Sequence, residues 1–200
     1  AAIARHKNGP DEAFIRRILE TYRELEKAVD MGLIRHIGTS NMTRLKLEQV
    51  LRDARIRPAM NQMEMHPAFA QPEFFAYLRA EGIQPVAFSP LGSPTRPDRD
   101  RDEADVPVLQ QPAIVEIAKK HGIHPAVVCV KWAVQRGQTP IPFSVYYNEY
   151  HSNLKSVTED PLSEEEMRKI EAVDTNCRLI KGVVFLWEGA KSWKALWDEE

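Results

Sequence analysis

Apolar positions along the chain follow helical and strand periods in turn. After Asn8, Gly9 and Pro10, residues Phe14, Ile15, Ile18, Tyr22, Leu25 and Val29 recur on one face of a helix and stop near Gly32, which predicts an amphipathic helix over 11–31. LIRHIGTSN then predicts a short strand at 34–39 running into a polar turn, and TRLKLEQVLRD a helix over 43–53 with Thr43 as its cap. The apolar-polar alternation of PAMNQMEMHP predicts a strand at 59–63. QPEFFAYLRAEG predicts a helix with Pro72 in its first turn, and QPVAF a strand at 84–88. PAIVEIAKKHG and HPAVVCVKWAVQRG predict two helices, each opened by proline and closed by glycine, followed by a brief strand at 139–142. Ser163 and Glu166 form a capping box ahead of Met167, Ile170 and Val173, and the aromatic-rich tail from Asn176 to Glu200 has no clear period.

Helices and strands that alternate with short connections predict a parallel sheet covered by helices, either doubly wound or closed into a barrel. Both arrangements put working residues in loops at the carboxyl ends of the strands. Those ends read TSN, NQMEMH, FSPLGSP and FSVYYN. Polar residues there either meet water at the rim of the sheet or hold a ligand. In FSPLGSP, Pro90 and Pro94 fix backbone dihedrals while Gly92 permits close approach, so this is a stiff, hydroxyl-rich loop.

Composition narrows the field. With 200 residues the chain fits one large domain or two small ones, and a net charge of −2 argues against a nucleic-acid partner. The basic residues in RPDRDRDE at 96–103 are matched by acids, which reads as a solvated loop. No apolar run is long enough to span a bilayer and no signal segment opens the chain, so the expected setting is cytoplasmic. Cys129 and Cys177 have no metal-binding spacing, and Cys129 sits among valines as a small buried hydrophobe, so neither a metal site nor a disulfide is expected. The first residue is not methionine, so it need not be the natural start.

Four stretches, GLIRHIGTSN at 32–41, NQMEMHP at 61–67, FSPLGSPTRP at 88–97 and IPFSV at 141–145, resemble the aldo-keto reductases in order and spacing over nearly the whole chain. The resemblance implies a (β/α)8 TIM barrel, a nicotinamide cofactor and reduction of an aldehyde or ketone to an alcohol. It further implies that residues 1–200 are the C-terminal part of one barrel domain, strands five to eight, with 176–200 as the C-terminal substrate loop. The family's catalytic Asp, Tyr, Lys and His belong to the first half of the barrel, so no catalytic residue is assigned here. His6 lies beyond the strand that carries the family histidine and is not given its role. A missing N-terminal half-barrel is thus an expected partner, and without it the chain should associate or fold poorly because sheet edges are left open.

By resemblance, Ser40, Asn41 and Gln62 orient the nicotinamide carboxamide, and Phe88 stacks on the ring. Ser89, Leu91 and Ser93 cover the pyrophosphate, and Ser144 and Asn153 also contact the cofactor. Three positions depart from the family. Thr95 stands where many relatives place an aspartate that latches the loop; Phe143 replaces a phosphate-binding lysine; Glu149 replaces an arginine that meets the 2′-phosphate. NADPH is the cofactor the family implies, and Phe143 and Glu149 tilt the expectation toward NADH. Phe185 and Trp187 are candidates for a substrate wall, while Trp193 and Trp197, one helical turn apart, equally suit pinning the tail. Glu64 and His66 are acid-base types that the family pattern makes structural. Two functions follow: an NAD(P)H-dependent carbonyl reductase acting on a small molecule, or a non-catalytic nucleotide-binding or scaffold relative.

Overall fold

All the helices but one form where an apolar stripe lies between a start and a stop signal, and a computed structural model describes residues 5–6, 9–10, 12–186 and 188–199. Two compact units are built, one from Ala1–Gln62 with Lys181–Glu200 and one from Met63–Ile180.

In the first unit a short antiparallel hairpin pairs β1 (Arg5–His6) with β2 (Gly9–Pro10). Next come α1 (Glu12–Asp30), β3 (Gly38–Ser40), α2 (Arg44–Asp53) and the start of β4 (Met60–Glu64). The stripe of α1 buries Tyr22 with Ile37 and Val50, and Ile18, Val29 and Ile56 pack against them. Tyr22 keeps its hydroxyl satisfied by donating to the Ile56 carbonyl at 2.8 Å, while the Glu26 carboxylate accepts from the Ile56 N–H at 2.8 Å. Burial, aided by the neighbouring Glu26 charge, pushes the Tyr22 phenol up to about 12.

The strand expected at 34–39 forms later, at Gly38–Ser40. Gly32, at φ 71°, lets the chain turn out of α1, and the Leu33 N–H reaches back to the Ala28 carbonyl at 2.9 Å, so the following residues are spent on the helix exit. The Thr43 cap is also revised. Thr43 is the residue before α2, yet its hydroxyl bonds the Asp198 carboxylate instead of a helix N–H.

The second unit carries the end of β4, then α3 (Pro72–Ala80), β5 (Gln84–Phe88), α4 (Pro112–His121), α5 (Pro125–Arg136), β6 (Thr139–Pro140), α6 (Tyr147–Lys155) and α7 (Glu164–Glu171). The sheet order is β3-β4-β5-β6, with parallel pairing of Gly38–Ser40 to Met60–Gln62 and of Val86–Ala87 to Thr139–Pro140. This is the α/β class the alternation predicts. β6 is shorter than the expected 139–142 because Pro140 and Pro142 offer no N–H, although the Ile141 N–H still reaches the Ala87 carbonyl at 3.0 Å.

Trp132, Ile114, Ile117, Val128, Ile170 and Leu179 form the core of this unit. Cys129 is fully buried there, burial pushes its thiol up to about 12, and no disulfide joins it to Cys177. α6 has no counterpart in the sequence prediction. It buries no residue of its own and is fastened at its end, where the buried Lys131 ammonium donates to the carbonyls of Ser156 at 3.1 Å, Asp160 at 3.0 Å and Glu159.

The capping box forms as predicted: the Glu166 N–H donates to the Ser163 hydroxyl at 3.3 Å, and the Ser163 N–H to the Glu166 carboxylate at 2.8 Å. Burial alone would raise the Glu166 carboxyl. The Lys120 ammonium, the Ser163 N–H, the His121 ring and the Ser163 hydroxyl outweigh it and hold the group down to about 2. A carboxyl depressed in the folded state stabilises above its unfolded value of 4.5, and that contribution fades as pH falls from there toward about 2. Urea titrations across that window should therefore show Glu166→Gln about 2 kcal/mol less stable than the parent at neutral pH and the difference closing with acidification.

Candidate functional site

The carboxyl ends of β3 and β5 turn by the same device: the residue after each strand has left-handed backbone, Asn41 at φ 55° and Ser89 at φ 49°. Such a conformation is tolerated by asparagine and is unfavourable for serine. Non-glycine residues held there concentrate at binding sites, where the surroundings impose the shape.

At the β3 end, three predicted residues come together in the first unit. The Asn41 N–H donates to the Gln62 carbonyl at 2.9 Å, and the Ser40 hydroxyl donates to the same oxygen at 3.3 Å. Asn61 holds this turn from below: its carboxamide oxygen accepts from the Thr39 hydroxyl at 2.9 Å, and its NH2 donates to the Met42 carbonyl at 2.9 Å. Asn61 is fully buried and was not singled out in the sequence. An amide occupying an inward position of an alternating strand is the signal that could have found it. Ser40 also lines a cavity of about 400 Å³ with Tyr22, Leu25, Thr39 and Met42.

At the β5 end, in the second unit, Phe88 is half-buried and its carbonyl accepts from the Met65 N–H at 3.4 Å. The Gly92 N–H closes a turn on the Ser89 carbonyl at 2.9 Å. Gly92 is required, since its φ is 76° and a Cβ would come within 3.0 Å of the Val108 side chain. Leu91 and Ser93 share a cavity of about 230 Å³ with Val106, Val108 and Leu179. The loop read as solvated at 96–103 is mostly exposed, with two exceptions. Asp100 is buried, and the largely buried Arg96 donates to the Asp105 carboxylate at 2.5 Å and to the Ser93 carbonyl at 2.8 Å. Thr95 is exposed.

After β6, Phe143 is 86% exposed and Ser144 is half-buried. The Ser144 hydroxyl donates to the Glu149 carboxylate at 2.5 Å and accepts from the Tyr146 N–H at 3.1 Å. Glu149 occupies the first turn of α6, where the helix dipole favours an anion. Asn153 lies on the same helix, half-buried, its carbonyl accepting from the Ser156 hydroxyl at 2.5 Å. Tyr147 stacks on His151 at 5.4 Å and meets Tyr150 edge-on at 5.5 Å, an aromatic group not foreseen in the sequence.

In the tail, Phe185 is 71% exposed on a single 3-10 turn, Val183–Phe185, and Trp187 lies outside the described residues. Trp193–Trp197 is a second such turn, and the Trp197 indole N–H donates to the Lys181 carbonyl at 2.9 Å. Trp197 thus closes the tail on itself, from its last turn to Lys181.

Glu64 and His66 are wholly buried. The Glu64 carboxylate accepts the N–H groups of Leu179 at 2.8 Å and Ile180 at 3.0 Å, and lies 3.1 Å from the His66 Nε2. Among the described residues no cluster of His, Cys, Asp or Glu could hold a metal ion, and no helix is long and apolar enough to cross a membrane.

Parallel strands flanked by helices, with hydroxyls and amides at their carboxyl ends, define an α/β protein of the kind that binds ligands at that edge of the sheet. The chain belongs to the aldo/keto reductase family, whose model matches residues 3–175. It is 40% identical over 180 residues to an aldo/keto reductase of Synechocystis sp., covering 90% of this chain and 55% of that protein. Over 162 residues it is 39% identical to human aldo-keto reductase family 1 member A1, covering 80% and 49%. Among solved structures it is similar to MGS-M4, an aldo-keto reductase enzyme from a Medee basin deep-sea metagenome library, at a TM-score of 0.73 and 27% identity over 82% of this chain and 57% of that one. The chain thus spans about half the length of the relatives it matches.

The Glu64 contacts predict that Glu64→Gln, which turns one acceptor toward backbone donors as an NH2 group, costs about 3 kcal/mol in chemical denaturation; a loss under about 1 kcal/mol would deny the carboxylate this role.

Proposed function

We propose that this chain is the cofactor-holding half of an NAD(P)H-dependent reductase that converts an aldehyde or ketone to an alcohol. The supporting observation is the convergence of Ser40, Asn41 and the Gln62 backbone at one strand end within a family member. A bound nicotinamide cofactor would supply the hydride. The work of this chain is orientation: amide and hydroxyl groups of Ser40, Asn41 and Gln62 fix the carboxamide, the Phe88 face supports the ring, and Ser89, Leu91 and Ser93 cover the pyrophosphate. In this reading the chain is strands five to eight of a closed barrel. The Asp, Tyr, Lys and His that would deliver the proton to the substrate oxygen belong to a first half, in line with a match that covers 55% of the Synechocystis relative.

The adenosine end favours a cofactor without a 2′-phosphate. Ser144 donates to Glu149, so a carboxylate already stands there, and the neighbouring Phe143 brings no positive charge. A carboxylate repels a phosphate dianion and accepts hydrogen bonds from a ribose diol. The same three departures, Thr95, Phe143 and Glu149, favour a second reading as a nucleotide-binding relative without chemistry. The full-length protein decides between the two when assayed for NADH and NADPH oxidation with a panel of small aldehydes. Turnover with NADH binding at least as tightly as NADPH is expected; absence of turnover supports the second reading, and NADPH binding about tenfold tighter, or about 1.4 kcal/mol, refutes the preference.

The half-barrel reading has its own test. β3 and β6 are the outer strands of the described sheet, and outer strands left without cover pair with other chains. Residues 1–200 expressed alone should associate in sedimentation; a monodisperse monomer that melts cooperatively contradicts the reading.

A further inference from the structure

A buried ion pair joins residues far apart in the first unit. Lys46 on α2 and Asp198 near the end of the tail lie 3.4 Å apart, with side chains only 5% and 8% exposed. The Lys46 ammonium also donates to the Leu196 carbonyl at 2.5 Å, and the Thr43 hydroxyl meets the Asp198 carboxylate. Asp198 has left-handed backbone, φ 61°, as the residue that ends the Trp193–Trp197 turn. Two charges do not leave water for one surface contact among many; their burial demands a fixed partner geometry.

The pair closes a loop. Beside it the Trp197 indole donates to the Lys181 carbonyl, and Gly182 lies so close to Leu196 that a Cβ there would come within 3.3 Å of its side chain. Chain entry at Lys181–Gly182 and exit at Leu196–Trp197 are thereby held together. Between them sit the exposed apolar side chains of Val184 and Phe185. Thr43, which completes the closure, lies two residues after Asn41.

We propose that Lys46 and Asp198 are positioning residues: together they latch the Gly182–Trp197 loop to the turn that follows β3, and so set where Val184 and Phe185 are presented to a substrate. The latch stands on the contacts themselves; its effect on substrate rests on the reductase reading. Lys46 touches neither substrate nor cofactor in this account and acts through the loop it holds.

The test uses the full-length protein with Lys46→Met, Asp198→Asn and the double variant Lys46→Met/Asp198→Leu, digested with trypsin under native conditions. Lys191 and Lys194 are exposed within the loop and supply the cleavage sites. Each single variant should be cut there at least about tenfold faster than the parent. The double variant should return to within about twofold of the parent, because an apolar pair can replace a buried ion pair without leaving a lone charge. In steady-state assays the single variants should raise KM for a bulky aromatic aldehyde about threefold or more relative to a small one, with dinucleotide affinity unchanged. Parent-like cleavage in both single variants overturns the latch, as does a double variant cut as fast as the singles; an equal rise of KM for small and bulky aldehydes overturns its effect on substrate. Should Lys46→Met not fold, Asp198→Asn carries the same comparison. A parent protein that reduces no carbonyl refutes the reductase reading, while the cleavage rates still decide the latch.

Discussion

A carboxylate removed from water must be surrounded by donors, and the second unit is organised around one that is. Glu64 ends β4 with no exposure, and its oxygens accept from Leu179 and Ile180 and face His66. The same residue's backbone carbonyl takes the Gln71 side-chain amide at 2.7 Å, and the Cys177 N–H reaches the Ala68 carbonyl at 2.9 Å. The Glu64 carboxylate thus ties the end of β4 to the segment that leaves α7, and backbone carbonyls at Glu64 and Ala68 add two more contacts. Acid-base residue types at a strand end suggest catalysis; zero exposure and two backbone donors argue instead that Glu64 fixes the segment that leaves α7 against the end of β4.

The strand ends keep their unfavourable backbone through contacts of their own. Asn41 and Ser89 both have left-handed φ, and each sits where a hydrogen bond closes the chain on itself, from Asn41 to Gln62 and from Gly92 to Ser89. Asn61 below Asn41, and the Val108 side chain packed against Gly92, leave the turns little room to relax. Strain of this kind persists where surrounding contacts over-determine it, and it concentrates at active sites and ligand clamps.

What could be read in advance depended on whether a residue's signal was local. Gly122 and Gly137 end α4 and α5, Pro72 opens α3, and the Ser163–Glu166 box opens α7, because these are preferences of the backbone within one turn. β5 matched its predicted bounds for the same reason: QPVAF is an apolar run between a glycine turn and a serine-proline turn. α6 escaped because it buries none of its residues, so no apolar stripe faces a core; its anchor is Lys131, which in sequence looks like any surface lysine. Thr43 has the residue type of a cap, but Asp198, 155 residues away, claims its hydroxyl. Asn61, the Arg96–Asp105 pair and the Lys46–Asp198 pair were invisible for the same reason, since each is defined by a partner or a depth of burial that only the fold supplies.

The departures from the family motif acquire a physical meaning only together. Phe143 alone would be an exposed aromatic, and Glu149 alone a carboxylate placed favourably in the first turn of a helix. Ser144 joins them: it sits beside Phe143 and gives its hydroxyl to Glu149 at 2.5 Å, so the hydroxyl that could meet a phosphate oxygen is engaged by a carboxylate. A phosphate entering there would have to displace a charge-assisted hydrogen bond and face the released carboxylate, two costs of the same sign. A ribose hydroxyl faces neither, because it can donate to that carboxylate and leave the serine in place. The polar group between β6 and α6 is thus built around the Glu149 carboxylate, which holds the Ser144 hydroxyl for itself.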